Sequence, residues 1–217
     1  MKLSVVIATL NRLPYLRACL DSLPAACGDV YCETIVVDGG SADGTPDYLR
    51  GLPLISVEQG VARGAVAAFN AGFHLADGDY VANLNDDCTV APNTLALACE
   101  YLDGHSQCGQ VAIPYGVPGA QPTTQMVHIG HHRPVRYANF GVTRRALGHA
   151  CGWWGSYLHH YGGDCELSAN VWDAGYTVDE LPGGSIVHYE LQDSTRQSNT
   201  HGGSDLFHAK WRKYNGK

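Results

Sequence analysis

Asp86 and Asp87 are neighbouring carboxylates that follow the apolar run Tyr80-Val-Ala-Asn-Leu84. Side by side they repel unless a cation or a hydrogen-bonding ligand fills the space beside them. An oxygen-rich site with few protein ligands suits Mg2+ or Mn2+ bridging a diphosphate. The alternative is an acidic turn capping the next helix, and the pair alone leaves both readings open. Two more polar clusters follow apolar runs: Thr9-Leu10-Asn11-Arg12 and Asp38-Gly39-Gly40-Ser41.

The second half holds further candidates. Asp164 opens a helical segment in which Leu167 and Val171 are i, i+4 neighbours. A carboxylate is stabilised at a helix N-terminus, so on spacing alone Asp164 is a cap. His188 ends the short apolar run Ser185-Ile-Val-His188, where a lone histidine is more often a hydrogen-bonded core residue than a ligand. Trp153 and Trp154 sit in a glycine-flanked segment upstream, either stacking on a sugar ring or base or buried in the core, and we expect one to face in and one out. The paired histidines His131-His132 and His159-His160 have no cysteine at ligand spacing, which argues against zinc.

The elements that must position these groups are legible in the apolar pattern. Leu3–Ala8, Thr34–Asp38, Leu54–Val57 and Tyr80–Leu84 read as buried strands. Helical patterns run from Leu13, with Pro14 in the first turn, from about Val61 to Leu75 and from Pro92 to about Leu102. Strands alternating with helices predict an α/β fold with a parallel sheet, and ligands of such sheets bind outside the carboxyl ends of the strands. All three polar clusters lie at those ends. Past residue 102 the pattern loosens, and 114–137 is rich in Pro, Gly and His, the composition of a surface loop or a loop over a site. Helices over 164–174 and 207–214 and a strand over 185–188 complete the expectation.

Composition bounds the class. The 217 residues carry 14 Lys plus Arg against 21 Asp plus Glu, a net charge of −7, with 45% hydrophobic and 16% charged residues. That supports a packed core, excludes disorder and coiled coil, and disfavours general attraction to nucleic acid or anionic membranes. The 26 glycines exceed the usual level of about 7%, which points to many backbone positions of positive φ or close ligand approach. The N-terminus lacks a signal-peptide pattern and no apolar run reaches a membrane span. The eight cysteines form no CxxC and read as mostly reduced core thiols of a cytoplasmic protein. Arg133, Arg136, Arg144 and Arg145, and then Lys210, Arg212, Lys213 and Lys217, form two basic stretches that are either a solvated face or a patch for an anionic acceptor.

The segments Ser4-Val-Val-Ile-Ala-Thr-Leu-Asn-Arg12, Ile35-Val-Val-Asp-Gly-Gly-Ser-Ala-Asp-Gly-Thr45, Asn70-Ala-Gly-Phe-His-Leu-Ala-Asp-Gly-Asp-Tyr80 and Leu84-Asn-Asp-Asp87 stand in the order and spacing of one family. Together they resemble the family 2 glycosyltransferases, which are inverting, nucleotide-sugar-dependent enzymes of GT-A fold. Gly162-Gly-Asp-Cys-Glu-Leu167, leading into Trp172-Asp-Ala-Gly-Tyr176, is similar to that family's Glu-Asp-x-Asp segment.

The resemblance implies a minimal single domain, with residues 1–90 as the nucleotide-sugar half and 91–217 as the acceptor half. It implies that Thr9, Asn11, Arg12 and Arg63 line the nucleotide and that Asp38 bonds the base. Asp86 then faces the ribose or sugar, Asp87 and His188 hold Mn2+ or Mg2+, and Asp164 is the catalytic base. Gly163 replaces the usual Glu, Asn85 replaces the first Asp of Asp-x-Asp, and Glu166 fills the second acidic position as an acceptor contact with Trp153 and Trp154. The implied donor is a UDP-sugar, and the implied acceptor a glycan or lipid-linked glycan before a modified base in DNA. Rival functions are a nucleotidyltransferase of similar fold, which would need a Gly-rich loop that 8–12 lacks, and a non-catalytic carbohydrate- or nucleotide-sugar-binding module.

Overall fold

The computed structural model describes residues 1–130, 134–191 and 203–212. Its centre is a seven-stranded sheet in the order β11-β6-β10-β4-β1-β2-β3. The first half supplies β1 (Lys2–Thr9), β2 (Tyr31–Asp38), β3 (Ile55–Glu58) and β4 (Tyr80–Asn85). All four run parallel, with Ala8 beside Asn85 and Thr9 beside Asp38 at their carboxyl ends. Leu3, Val5, Val6 and Ile7 are fully buried, as a strand covered on both faces requires. The crossovers are α1 (Leu13–Cys27), α2 (Thr45–Arg50) and α3 (Ala65–Leu75).

The second half extends the same sheet with strands that the sequence pattern had not announced. β6 (Cys108–Ala112), β10 (Gly141–Arg144) and β11 (Thr177–Glu180) are short, and β10 inserts antiparallel between β4 and β6. β5 (Cys88–Val90), β7 (Tyr115–Gly116) and β12 (Ile186–His188) form a small sheet, while β8 (Gln125–Val127) and β9 (Val135–Tyr137) form a hairpin. The helices are α4 (Thr94–Gly104), α5 (Arg145–Cys151), α6 (Gly163–Asp173) and α7 (Gly203–Trp211). Helix α4 starts after Pro92 because Asn93 takes φ of 61°, and α3 starts four residues later than the pattern suggested because Gly64 breaks it at φ of 90°. The hairpin gives the Pro/Gly/His-rich stretch more structure than a bare loop; His131, His132 and Arg133 lie outside the described residues.

A buried polar chain fixes α6 to the sheet. Gln110 on β6 donates to Thr143 on β10 at 2.9 Å, and the Ser168 hydroxyl lies 2.7 Å from Gln110 Oε1 and 2.9 Å from the carbonyl oxygen of Asp164. All three side chains are fully or almost fully buried, so each lost partner would leave an uncompensated polar group. Six of the eight cysteines are free thiols, and Cys27 is joined to Cys32.

Among the described residues of the first basic stretch, the arginines are committed to internal partners. Arg144 spends its guanidinium on the carbonyls of Leu102, His105 and Cys108, Arg145 on that of Gly78, and Arg136 pairs with Glu180. Lys213 and Lys217 lie outside the described residues. Among the described residues no helix is long and apolar enough to cross a membrane.

Candidate active site

The parallel strands deliver their terminal residues to one edge, where a cleft of about 810 Å³ opens. That lies within the size range of small-molecule and cofactor sites. Thr9, Arg12, Asp86 and Asp87 line it together with Asp164, Cys165, Tyr115 and Tyr137, and His188 lies beside Asp87.

Both carboxylates of the Asp86-Asp87 pair are 3% exposed, and the structure answers their repulsion with protein cations. Arg12 Nη1 lies 3.1 Å from Asp86 and 3.7 Å from Asp87, while Thr9 donates its hydroxyl to Asp86 at 2.8 Å. Burial pushes the Asp86 carboxyl up to about 6, against the opposing pull of Arg12. For Asp87 burial pushes upward too, but the hydrogen bond from His188, the charges of His188 and Arg12 and the N–H of Leu191 outweigh it and hold the group below the carboxylate range. The pair is thereby split into one carboxyl that protonates readily and one fixed anion.

His188 Nε2 lies 3.1 Å from Asp87 Oδ1, and because an ionised carboxylate only accepts, Nε2 carries the proton. A divalent cation bound here would take the place of that proton between an oxygen and a nitrogen donor. Among the described residues no group of three or more His, Cys, Asp or Glu is placed to hold a metal, so these two donors fit a cation only when a diphosphate and water complete the shell.

The other nucleotide candidates divide. Arg63 lines the cleft, together with Gly39 and Gln59, which were not among the candidates. Asp38 and Asn11 do not: Asp38 accepts from the Ser41 N–H at 3.1 Å and its hydroxyl at 2.5 Å, and Asn11, at φ of 55°, accepts from the Ala42 N–H at 2.7 Å. Both are occupied in building the turn between β2 and α2. The spacing of Ser41 three residues after Asp38 is the sequence signal for that turn.

Asp164, which also lines the cleft, is half-buried in the first turn of α6. Burial pushes its carboxyl up, and the N–H groups at the helix start only partly oppose this. Trp154 lines the cleft, but Trp153 is turned away and stacks on Phe73 at 4.6 Å. The expected division of the two rings therefore takes the form of one core residue and one buried wall residue, 2% and 7% exposed. Glu166, 1% exposed, is also absent from the cleft wall; it accepts from Tyr157 and pairs with Lys210, which anchors α7. Through this anchor α7 brings Phe207 and His208 to the cleft, a contribution that nothing in the sequence pattern revealed.

The architecture is the GT-A arrangement: a mostly parallel sheet with helices on both faces, and acidic residues at the end of β4 that share a cleft with a carboxylate-headed helix. A family model described as Glycosyl transferase family 2 matches residues 4–158, and the chain belongs to this family. A PGL/p-HBAD biosynthesis glycosyltransferase of Mycobacterium bovis (strain BCG / Pasteur 1173P2) is 36% identical over 110 residues, 47% of this chain and 42% of the relative. The chain thus spans less than half of that relative's length. Among solved structures, Staphylococcus aureus TarS 1-349 in complex with UDP-GlcNAc superposes with a TM-score of 0.75 at 18% identity, covering 96% of this chain and 64% of that one. The mannosyltransferase PcManGT from Pyrobaculum calidifontis, in complex with GDP-Man and Mn2+, gives 0.69 at 20% identity, covering 90% and 59%. At these identities the likeness is one of fold.

Proposed function

We propose that the protein is an inverting glycosyltransferase that moves a sugar from a nucleotide diphosphate sugar, a UDP-sugar first, to an acceptor hydroxyl. The observation that carries this reading is the convergence of two different carboxylate environments on one cleft: the anionic Asp87 beside His188 and Arg12, and the half-buried Asp164. Asp87 and His188 would hold a divalent cation of the Mg2+ or Mn2+ class, which when bound neutralises negative charge on the diphosphate. Arg12 and Arg63 add fixed positive charge on the donor side, and residues 1–90 serve as the donor half.

Asp164 accepts the proton of the acceptor hydroxyl as that oxygen attacks the anomeric carbon from the face opposite the departing diphosphate, which inverts the configuration. Its raised pKa brings the base nearer the pH at which it must work. Residues 91–217 supply the acceptor side, and a glycan or lipid-linked glycan is the acceptor class. The commitment of Arg136, Arg144 and Arg145 to internal partners takes these three arginines out of a surface for DNA.

A thermal-shift panel of nucleoside diphosphates and nucleotide sugars, with and without Mn2+, tests the reading. Stabilisation by at least one nucleotide sugar, deepened by Mn2+, is expected. No response to any nucleotide diphosphate overturns it. For a donor that binds, proton NMR of the product must show the anomeric configuration opposite to that of the donor.

A further inference from the structure

Buried polar atoms without partners cluster at the cleft. Among the described residues, Gln59 Oε1, Trp154 Nε1 and His188 Nδ1 are buried without a hydrogen-bond partner, and all three residues line the same cleft. Buried tryptophan N–H groups ordinarily find an acceptor, and one left without costs stability. The Trp154 indole is the informative member, because its position is enforced from several sides.

The Asn70 side chain on α3 bonds the Trp154 backbone at both ends, donating to its carbonyl at 2.8 Å and accepting from its N–H at 3.2 Å. The ring packs on Phe69 at 4.4 Å and edge-on to Phe73 at 5.7 Å. It also lies over Gly163, where a Cβ would approach the indole to well under 3.0 Å. No side chain fits at 163 while the ring stays in place. The indole thus occupies the ground that a side chain preceding Asp164 would take.

We infer that Trp154 is a specificity-determining residue whose indole N–H donates to a hydroxyl oxygen of the transferred sugar. The inference rests on the glycosyltransferase reading. It assigns the contact to the donor sugar because Trp154 is held by α3, the helix entered through the cleft-lining Arg63 and Gly64, and lies against the residue preceding the proposed base. The nucleotide itself is served by Thr9 and Arg12 at the ends of other elements.

Trp154→Phe keeps an aromatic ring over Gly163 and removes only the donor. Calorimetric titration of wild type and W154F with UDP, UDP-N-acetylglucosamine, GDP and GDP-mannose reads the effect on whichever nucleotide and sugar-nucleotide pair the wild type binds. The expected result is about a five- to tenfold weaker sugar nucleotide with the nucleoside diphosphate unchanged, the loss of one neutral hydrogen bond. Gly163→Ala, which displaces the indole, must give the same selective loss, and it supplies the test should W154F fold poorly. Equal weakening of both ligands, or no weakening of either, overturns the inference while the functional reading stands. A wild type that binds no sugar nucleotide overturns both.

Discussion

Replacing Asp164 by asparagine should move activity and stability in opposite directions. The carboxyl is raised above its ordinary 3.8 by burial, with the helix-start N–H groups opposing incompletely. An acid with a higher pKa in the folded than in the unfolded chain favours folding below the unfolded pKa, and that advantage is lost as pH rises through the folded pKa. At neutral pH the ionised group is therefore a net cost to the fold. Asparagine is nearly isosteric and neutral, so it removes the cost, and every kcal/mol relieved raises Tm by about 2–4 °C for a chain of this length. Chemistry pays the other way, because a positioned general base contributes about 10²–10⁴ in rate, or roughly 2.7–5.5 kcal/mol at 1.36 kcal/mol per tenfold. D164N should lower kcat by that factor, leave nucleoside diphosphate affinity unchanged and hold or raise Tm at pH 7.5. Nucleoside diphosphate release, titration calorimetry and scanning calorimetry measure the three quantities. In the wild type kcat/KM should also climb with pH to a plateau, with a midpoint above 3.8, and the variant should lack that limb. Turnover within tenfold of wild type would refute the assignment of the base, and a Tm lowered by several degrees would refute the electrostatic argument.

Gly64 sits at φ 90° and ψ 157°, a region essentially reserved for glycine, and a Cβ there would run into the His159 carbonyl and ring. G64A should cost about 2–5 kcal/mol in strain and overpacking, whereas G60A, at φ of 72° with nothing within 4 Å, should cost only about 1–2 kcal/mol; equal denaturation midpoints would contradict this. His188→Ala should abolish the extra thermal shift that Mn2+ gives in the presence of nucleoside diphosphate, and an unchanged Mn2+ response would remove His188 from the metal site. A carboxyl titrating at about 6 should appear in carbon-13 NMR of the ligand-free protein, vanish in D86N and move upward in R12M, since Arg12 holds it down. An Asp86 midpoint near 4 would show that burial does not dominate there.

The first four strands were readable because each is a continuous apolar run buried on both faces, a pattern set by local sequence. β6, β10 and β11 were not, because they are short and gain their stability from distant partners such as the Gln110 and Thr143 pair across 33 residues. The antiparallel insertion of β10 follows from pairing with β4 and β6, which no local periodicity encodes. Site residues followed the same division. Asp86, Asp87, Asp164 and His188 reach one cleft because they stand at ends of elements the pattern located. Asp38, Asn11 and Glu166 have the right chemistry at the right place in the chain, yet their side chains are occupied by Ser41, Ala42 and Lys210. For Glu166 the competing partner lies 44 residues away, beyond the reach of any spacing argument.

Asn70 joins these two kinds of information. It belongs to a donor-half motif, but its side chain holds the backbone of Trp154, 84 residues on, and does not itself line the cleft. Beside it, the Val66 N–H donates to the His159 carbonyl at 3.2 Å, so the start of α3 and the loop before α6 are tied at two points. Lys210 adds a third tie, from α7 to Glu166 on α6. A proton acceptor on α6 can serve a sugar held at the ends of β1 and β4 only if the two walls keep their separation, since a displacement of about 1 Å can cost 10²-fold in rate. Under the proposed function, Asn70, which does not line the cleft, would act by setting that separation. Of the side chains that make these ties, Glu166 is buried, Asn70 half-buried and Lys210 exposed.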